Sequence, residues 1–185
     1  NPTSHQQFAD ELTSILYTKP NECTSALGVS MAFSLIYPGT TTNVALDEVQ
    51  TTFGYPPTKN NLQLVWEDTT NRMLSNAAGQ CVGGEWNGIC NADAPTLQIA
   101  NSIWFDNSHT LNATYNSIVG EYARQTDFEA NESPTIVNEW VSNSTNGLID
   151  SILPEDKPLF PPYVLIAINS IYLKARWVEQ FNEYA

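Results

Sequence analysis

The stretch Ile-Ala-Asn-Ser-Ile-Trp-Phe (IANSIWF) occupies residues 99–105, and a closely similar stretch, INSIYL, occupies residues 168–173. Each places an Asn-Ser pair inside an apolar, strand-like run: Asn101-Ser102 in the first and Asn169-Ser170 in the second. A carboxamide and a hydroxyl inside a sheet cost free energy unless both find hydrogen-bond partners. Either each asparagine is an ordinary core residue bonded to neighbouring backbone, or the repeated pair has a role in function.

The segments around these two runs predict a chain of mixed helices and strands. Helices are expected over residues 5–19, 25–39, 40–55, 61–75, 110–125 and 133–153, the last with a break at Asn146-Gly147. Strands are expected over 96–106 and 162–177, with a short strand or edge at 126–130 and a long loop at 76–95. This order predicts an α+β fold in which an amino-terminal helical cluster, residues 5–75, packs on one large central β-sheet formed within residues 96–185.

The charge balance excludes two classes of partner. The 185 residues carry 20 Asp and Glu against 7 Lys and Arg, a net charge of −13. A surface of this sign repels phosphate, so nucleic acids and anionic lipid head groups are not expected to bind. No apolar run approaches the roughly 20 residues of a membrane span.

The sequence offers no catalytic or metal-binding arrangement. Its two histidines, His5 and His109, lie in polar stretches, and neither belongs to a cluster with metal-ligand spacing. There is no G-x-S-x-G elbow and no phosphate-binding P-loop. Adjacent carboxylates such as Asp47-Glu48 are typical of a solvated helix surface. We therefore expect no catalytic residue, no metal, no cofactor and no enzymatic activity.

Cysteines and sequons indicate an oxidising compartment. Cys81 and Cys90 bracket the Gly-rich segment VGGEWNGI. A disulfide between them would contribute about 2–3 kcal/mol and leave Cys23 free, the alternative being two reduced thiols in a surface loop. Asn112-Ala-Thr and Asn143-Ser-Thr are acceptor sequons for N-linked glycans. Together these features favour an extracellular protein or one of the secretory-pathway lumen.

The order of four motifs resembles the serpin family. The motifs are SALGVSMAFSLIYPGTTTNVALDEVQTTFGY (25–55), LQIANSIWF (97–105), VNEWVSNSTNGLIDSILPED (137–156) and AINSIYLKARWVEQF (167–181). They are similar, in turn, to the family's Ser-Pro-x-Ser helix, its IANALF strand, the helix and loop that cross the main sheet, and its NAIYFKGxWxxxF strand. The resemblance implies that residues 1–185 form the amino-terminal part of a single serpin-like domain. The remaining half is then a partner, present as a second chain or as further sequence.

The resemblance also assigns roles to several residues. In serpins the two strands are neighbours in a sheet that opens to admit a reactive loop. Asn169 falls at the shutter asparagine of the family, and Trp177 at the tryptophan of the breach, where the sheet first parts. The shutter serines fall at Ser25 and Gly28, so glycine replaces the second serine. We expect Asn169 to be buried and hydrogen-bonded. Because Gly28 lacks the serine hydroxyl, Asn169 should either have one hydrogen-bond partner too few or bond a water in the place of that hydroxyl. Asn101 is expected to be an ordinary core residue.

The function implied by the resemblance is suicide-substrate inhibition of a serine or cysteine protease. The bait loop is cleaved and then inserts into the sheet, carrying the acyl-enzyme with it. The alternative is a non-inhibitory serpin-like carrier, storage or scaffold subunit. The residues that separate these alternatives belong to the reactive loop, which lies outside residues 1–185. We also expect residues 1–185 not to fold stably alone, because the strand at 164–177 would be an open apolar sheet edge.

Overall fold

A computed structural model describes residues 4–17, 24–79, 96–160 and 163–175. Six helices lie within these ranges: α1 (Ser4–Leu16), α2 (Ala26–Ile36), α3 (Asn43–Phe53), α4 (Lys59–Gly79), α5 (Ala113–Val119) and α6 (Ser133–Ser144). A 3-10 turn, Tyr37–Gly39, continues α2, and three strands form a sheet: β1 (Thr96–Asp106), β2 (Ala123–Thr126) and β3 (Leu165–Lys174). Four residues discussed above, Cys23, Cys81, Cys90 and Trp177, lie outside the described residues.

Local sequence signals set the helix ends. The Ser25 side chain accepts a hydrogen bond from the backbone N–H of Gly28 at 3.0 Å and so caps α2. The Thr42 hydroxyl caps α3 in the same way by accepting from the backbone N–H of Ala45. Gly54 ends α3 in the left-handed conformation, with φ of 69°, which glycine adopts without a steric penalty.

Four expected boundaries are wrong. The segment 110–125 is helical only over α5, and its last residues form β2, because Ala123 to Thr126 pair in parallel with the end of β1. Of the strand or edge expected at 126–130, only Thr126 belongs to β2, and the residues after it form a turn. The long helix over 133–153 ends at Ser144, since Asn146 and Gly147 both have positive φ, and it does not resume. Helix α4 extends to Gly79, into the expected loop.

The sheet has the order β2-β1-β3, with β1 parallel to β2 and antiparallel to β3. Helices cover both of its faces. On one face Ile103 packs with Leu35 of α2, and on the other Trp104 and Ile168 pack with Val137 of α6. A separate cluster of Phe8, Tyr37, Phe53, Tyr55 and Leu62 joins α1, α3 and α4 to the end of α2. The expected α+β fold, with a helical cluster beside a sheet, is confirmed.

A buried asparagine fixes the segment that follows α6. Asn138 donates from Nδ2 to the carbonyl of Leu153 at 2.9 Å and to Glu155 at 3.1 Å. Its Oδ1 accepts from the backbone N–H groups of Ile152 and Leu153 at 2.9 and 3.0 Å. Residues 152–155 are thereby fastened to α6 without regular secondary structure. None of the helices in the described ranges has the length and apolarity needed to cross a membrane.

Candidate functional site

The repeated asparagines face each other across the sheet. Asn101 and Asn169 are register partners in the antiparallel pair β1–β3, and Asn169 Nδ2 donates to Asn101 Oδ1 at 2.9 Å. Asn101 is expected to be an ordinary core residue bonded to neighbouring backbone; its Oδ1 instead accepts from the side chain of Asn169, so the expected backbone partner is wrong. The signal that could have found this pair was the repetition of the motif itself.

The asparagine pair, Asn101 and Asn169, lies under helix α2. Asn169 Nδ2 also approaches the sulfur of Met31 at 3.9 Å. Both asparagines are half-buried, so the full burial expected for Asn169 is not observed. A hollow of about 340 Å³, lined in part by Asn101, Met31 and Ser34, lies beside the pair. The carboxamide of Asn101 therefore has space beside it, in contrast to a close-packed apolar core.

Gly28 of α2 makes room for the asparagine pair. A Cβ placed on this buried glycine would overlap the Oδ1 of Asn169. The carboxamide of Asn169 thus occupies the place that any side chain at position 28 would need. The two outcomes expected for the missing serine, a lost partner for Asn169 or a water in the gap, stay predictions. The oxygen of Asn169 itself fills the space.

Ser25 acts on the site through the helix. Its side chain is exposed, and its hydroxyl accepts from the backbone N–H of Gly28. Because this bond fixes the first turn of α2, it also fixes the position of Gly28 above Asn169. Ser25 is therefore a positioning residue for the contact between helix and sheet.

The serines of the repeated motif point to the opposite face of the sheet. Ser102 Oγ accepts from Trp104 Nε1 at 2.9 Å, and Ser170 Oγ donates to Ser144 Oγ of α6 at 2.9 Å. The alternation of side chains along a strand explains this division. Asn169 therefore contacts α2 on one face of the sheet and Ser170 contacts α6 on the other, so the centre of the sheet has polar contacts to helices on both faces.

The remaining candidate residues are not part of this contact. Asn112 and Asn143 are both exposed, the first as the N-cap of α5 and the second in the last turn of α6. Trp177, Cys81 and Cys90 lie outside the described residues. Among the residues that the structure describes, no group of three or more His, Cys, Asp or Glu side chains is placed to hold a metal ion.

One polar site was not anticipated by the sequence. Asp106, at the end of β1, accepts from the hydroxyl and backbone N–H of Ser108 and from the backbone N–H of Phe128 at 2.9 Å. The hydrogen bond from the Ser108 hydroxyl is the main cause that lowers the pKa of this carboxyl, and the two backbone bonds add to it. Asp106 therefore joins the end of β1 to the turn after β2.

Comparisons with known sequences identify one family. The sequence model described as "Serpin (serine protease inhibitor)" matches residues 3–185. An uncharacterized serpin-like protein of Methanosarcina acetivorans is 28% identical over 187 residues, which cover 97% of this chain and 40% of that protein. Human antithrombin-III is 35% identical over 92 residues, covering 46% of this chain and 20% of its own length.

Solved structures show the same fold. The Arabidopsis protein AtSerpin1, in a conformation described as native and stressed, has a TM-score of 0.73 at 23% identity over 98% of this chain and 45% of its own. Native protease nexin-1, solved with heparin, has a TM-score of 0.71 at 17% identity with the same coverage. The chain spans roughly two fifths of the length of curated relatives that match nearly all of it.

Proposed function

The chain belongs to the serpin family, and we propose that it forms the amino-terminal part of an inhibitor of serine or cysteine proteases. Serpins are generally protease inhibitors rather than enzymes, and we assign no catalytic residue and no cofactor to this chain. Because the chain spans less than half of the relatives that it matches, the carboxy-terminal half of the domain and the reactive loop are required partners in this proposal.

The proposed reaction uses the catalytic machinery of the target protease. The nucleophile of the protease attacks a peptide bond of the reactive loop, which forms an acyl-enzyme and releases the amine of the leaving segment. The cleaved loop then enters the sheet as a new strand and carries the acyl-enzyme along before water can deacylate it. Within the described residues β3 pairs only with β1, so its other edge is where further strands of the complete domain would pair.

The observation that carries the proposal is the contact between the asparagine pair and Gly28. When the sheet opens, β3 shifts relative to α2, so polar groups at this contact have to change partners. An asparagine offers both a donor and an acceptor, and the hollow beside Asn101 leaves space for the carboxamide of that residue to rotate. We therefore assign the shutter role to Asn169, with Asn101 as its partner and with Gly28 and Ser25 as positioning residues. Trp177 is proposed for the breach by resemblance.

The test of inhibition is a covalent complex. The full-length protein is mixed with a panel of serine and cysteine proteases, and a band that survives denaturing electrophoresis is expected with at least one of them. The matched control is the same protease with its nucleophile chemically blocked, which cannot acylate and should give no such band. Cleavage of the reactive loop by every active protease, with no complex, would contradict inhibition.

One observation favours the alternative of a non-inhibitory carrier, storage or scaffold subunit. Gly28 replaces a serine of the shutter signature, so the asparagine pair lacks the hydroxyl that this signature supplies. In that alternative the loop is cleaved as an ordinary substrate and the sheet does not admit it. The Gly28→Ser variant distinguishes the two, because a covalent complex formed by this variant and not by the parent protein would show that the missing serine is what prevents inhibition.

The proposed location is extracellular or in the secretory lumen. It is supported by the two sequons and by the close spacing of Cys81 and Cys90, for which we propose a disulfide. The acidic surface, with a net charge of −13, supports the absence of nucleic acid among the partners.

A further inference from the structure

We propose that Asn112 is the principal N-glycosylation site when the protein passes through a eukaryotic secretory pathway, and that Asn143 is occupied less. In this step the Nδ2 of asparagine displaces the diphosphate of a lipid-linked oligosaccharide. A bond forms between this nitrogen and the anomeric carbon of the sugar, the bond from that carbon to the diphosphate oxygen breaks, and one amide proton leaves. This inference does not depend on protease inhibition.

The side chain of Asn112 remains available for this reaction. Its Oδ1 caps α5 by accepting from the backbone N–H groups of Thr114 and Tyr115 at 2.9 and 3.3 Å. The glycan replaces a hydrogen on Nδ2 and leaves this oxygen in place, so the cap survives modification. Asn112, Ala113 and Thr114 are all exposed. The whole sequon therefore stays accessible at the surface of the folded protein.

The second sequon is accessible at its asparagine alone. Asn143 is exposed, but only 1% of the surface of Thr145 is exposed to solvent. The Thr145 hydroxyl donates to the carbonyl of Val141 at 2.9 Å and accepts from the backbone N–H of Ile149 at 3.1 Å. Ser144, the middle residue of this sequon, accepts a hydrogen bond from the Ser170 hydroxyl of β3 at 2.9 Å.

The transferase requires access to the hydroxyl of the third residue of a sequon. Thr114 of the first sequon is exposed, whereas the Asn143 sequon does not meet this requirement once α6 has packed on the sheet, because the Thr145 hydroxyl is buried and engaged. Modification of Asn143 is therefore limited to the time before α6 folds. Asn112 has no such limit.

The test measures occupancy at the two sites separately. The full-length protein is secreted from a eukaryotic host and treated with a glycosidase in heavy-oxygen water, which converts each glycosylated asparagine to a labelled aspartate. Peptide masses should show a larger labelled fraction at Asn112 than at Asn143. Equal fractions, a larger fraction at Asn143, or no label at either would overturn the proposal.

Two variants separate glycosylation from folding. Thr114→Ala removes the sequon but keeps the cap of Asn112, and Asn112→Asp removes the acceptor nitrogen but keeps a capping oxygen. Both should lose one glycan from the intact mass and still be secreted. Unmodified folded protein should then be incubated with purified transferase and lipid-linked donor. We expect modification at Asn112 alone when the protein is folded and at both sites after denaturation, whereas modification of Asn143 in the folded protein would contradict the structural argument.

Discussion

Replacement of Gly28 by alanine should destabilise the protein, although alanine is the better helix former. Gly28 lies in the first turn of α2 and its φ is not positive, so alanine fits the backbone. Its Cβ, however, overlaps the Oδ1 of Asn169. To reach ordinary van der Waals contact the carboxamide must withdraw by about an ångström, which breaks the hydrogen bond to Asn101.

The expected free-energy change is the difference between two opposing effects. Glycine in a helix costs about 0.5–1 kcal/mol relative to alanine, so the substitution gains that amount. Loss of the hydrogen bond between the asparagines costs about 1–3 kcal/mol, and their half-burial favours the lower part of this range. The free energy of unfolding should therefore fall by about 1 kcal/mol in Gly28→Ala.

A double-mutant cycle isolates the contact. In the Asn169→Ala background no carboxamide opposes the new Cβ, so Gly28→Ala should stabilise the protein by about 0.5–1 kcal/mol. Denaturant unfolding of the full-length protein and its three variants measures all four free energies. The reasoning is refuted if Gly28→Ala stabilises the protein by the same amount in both backgrounds, because Gly28 and Asn169 would then be uncoupled.

Three other predictions concern two hydrogen-bonded side chains and the disulfide proposed from the sequence. Asn138→Ala should cost about 2–4 kcal/mol in denaturant unfolding, because buried backbone groups of residues 152–153 lose their partner, and a cost below about 1 kcal/mol would contradict that role. The lowered pKa of Asp106 means that its carboxylate stabilises the fold above its unfolded pKa, and this contribution is lost as pH falls through the lower folded pKa. Stability measured from pH 6 to pH 2 should therefore fall less steeply in Asp106→Asn, and an unchanged slope would argue against this linkage. Peptide mapping without reductant should find Cys81 linked to Cys90, whereas alkylation of both thiols in the native protein would exclude the disulfide.

The sequence predicted the two long strands because their signal is local. Apolar side chains with β-branched and aromatic residues run through 96–106 and 162–177, and the structure has strands at Thr96–Asp106 and Leu165–Lys174. Strand β2 was missed because its sequence, ARQT, has no apolar alternation. It is a strand because it pairs with β1, which is a tertiary effect.

The site was only half predictable for a similar reason. The repeated motif and the resemblance indicated Asn169, but the register between two distant strands is not encoded in either strand alone. A slip of one residue would have moved Asn101 to the opposite face from Asn169. The sequence likewise showed that Gly28 lacks a hydroxyl, whereas only the distance between α2 and the sheet reveals that the carboxamide of Asn169 fills the space.

The central claim is that this sheet admits the cleaved reactive loop as a new strand, and the most direct measurement is thermal unfolding before and after cleavage of that loop. The full-length protein is nicked in the loop by a protease that forms no complex, and intact mass confirms a single cut. The account predicts a clear rise in melting temperature, because the inserted strand adds hydrogen bonds and buries apolar surface in the sheet. An unchanged or lower melting temperature, with the loop cut at one bond, would contradict insertion and favour the non-inhibitory role.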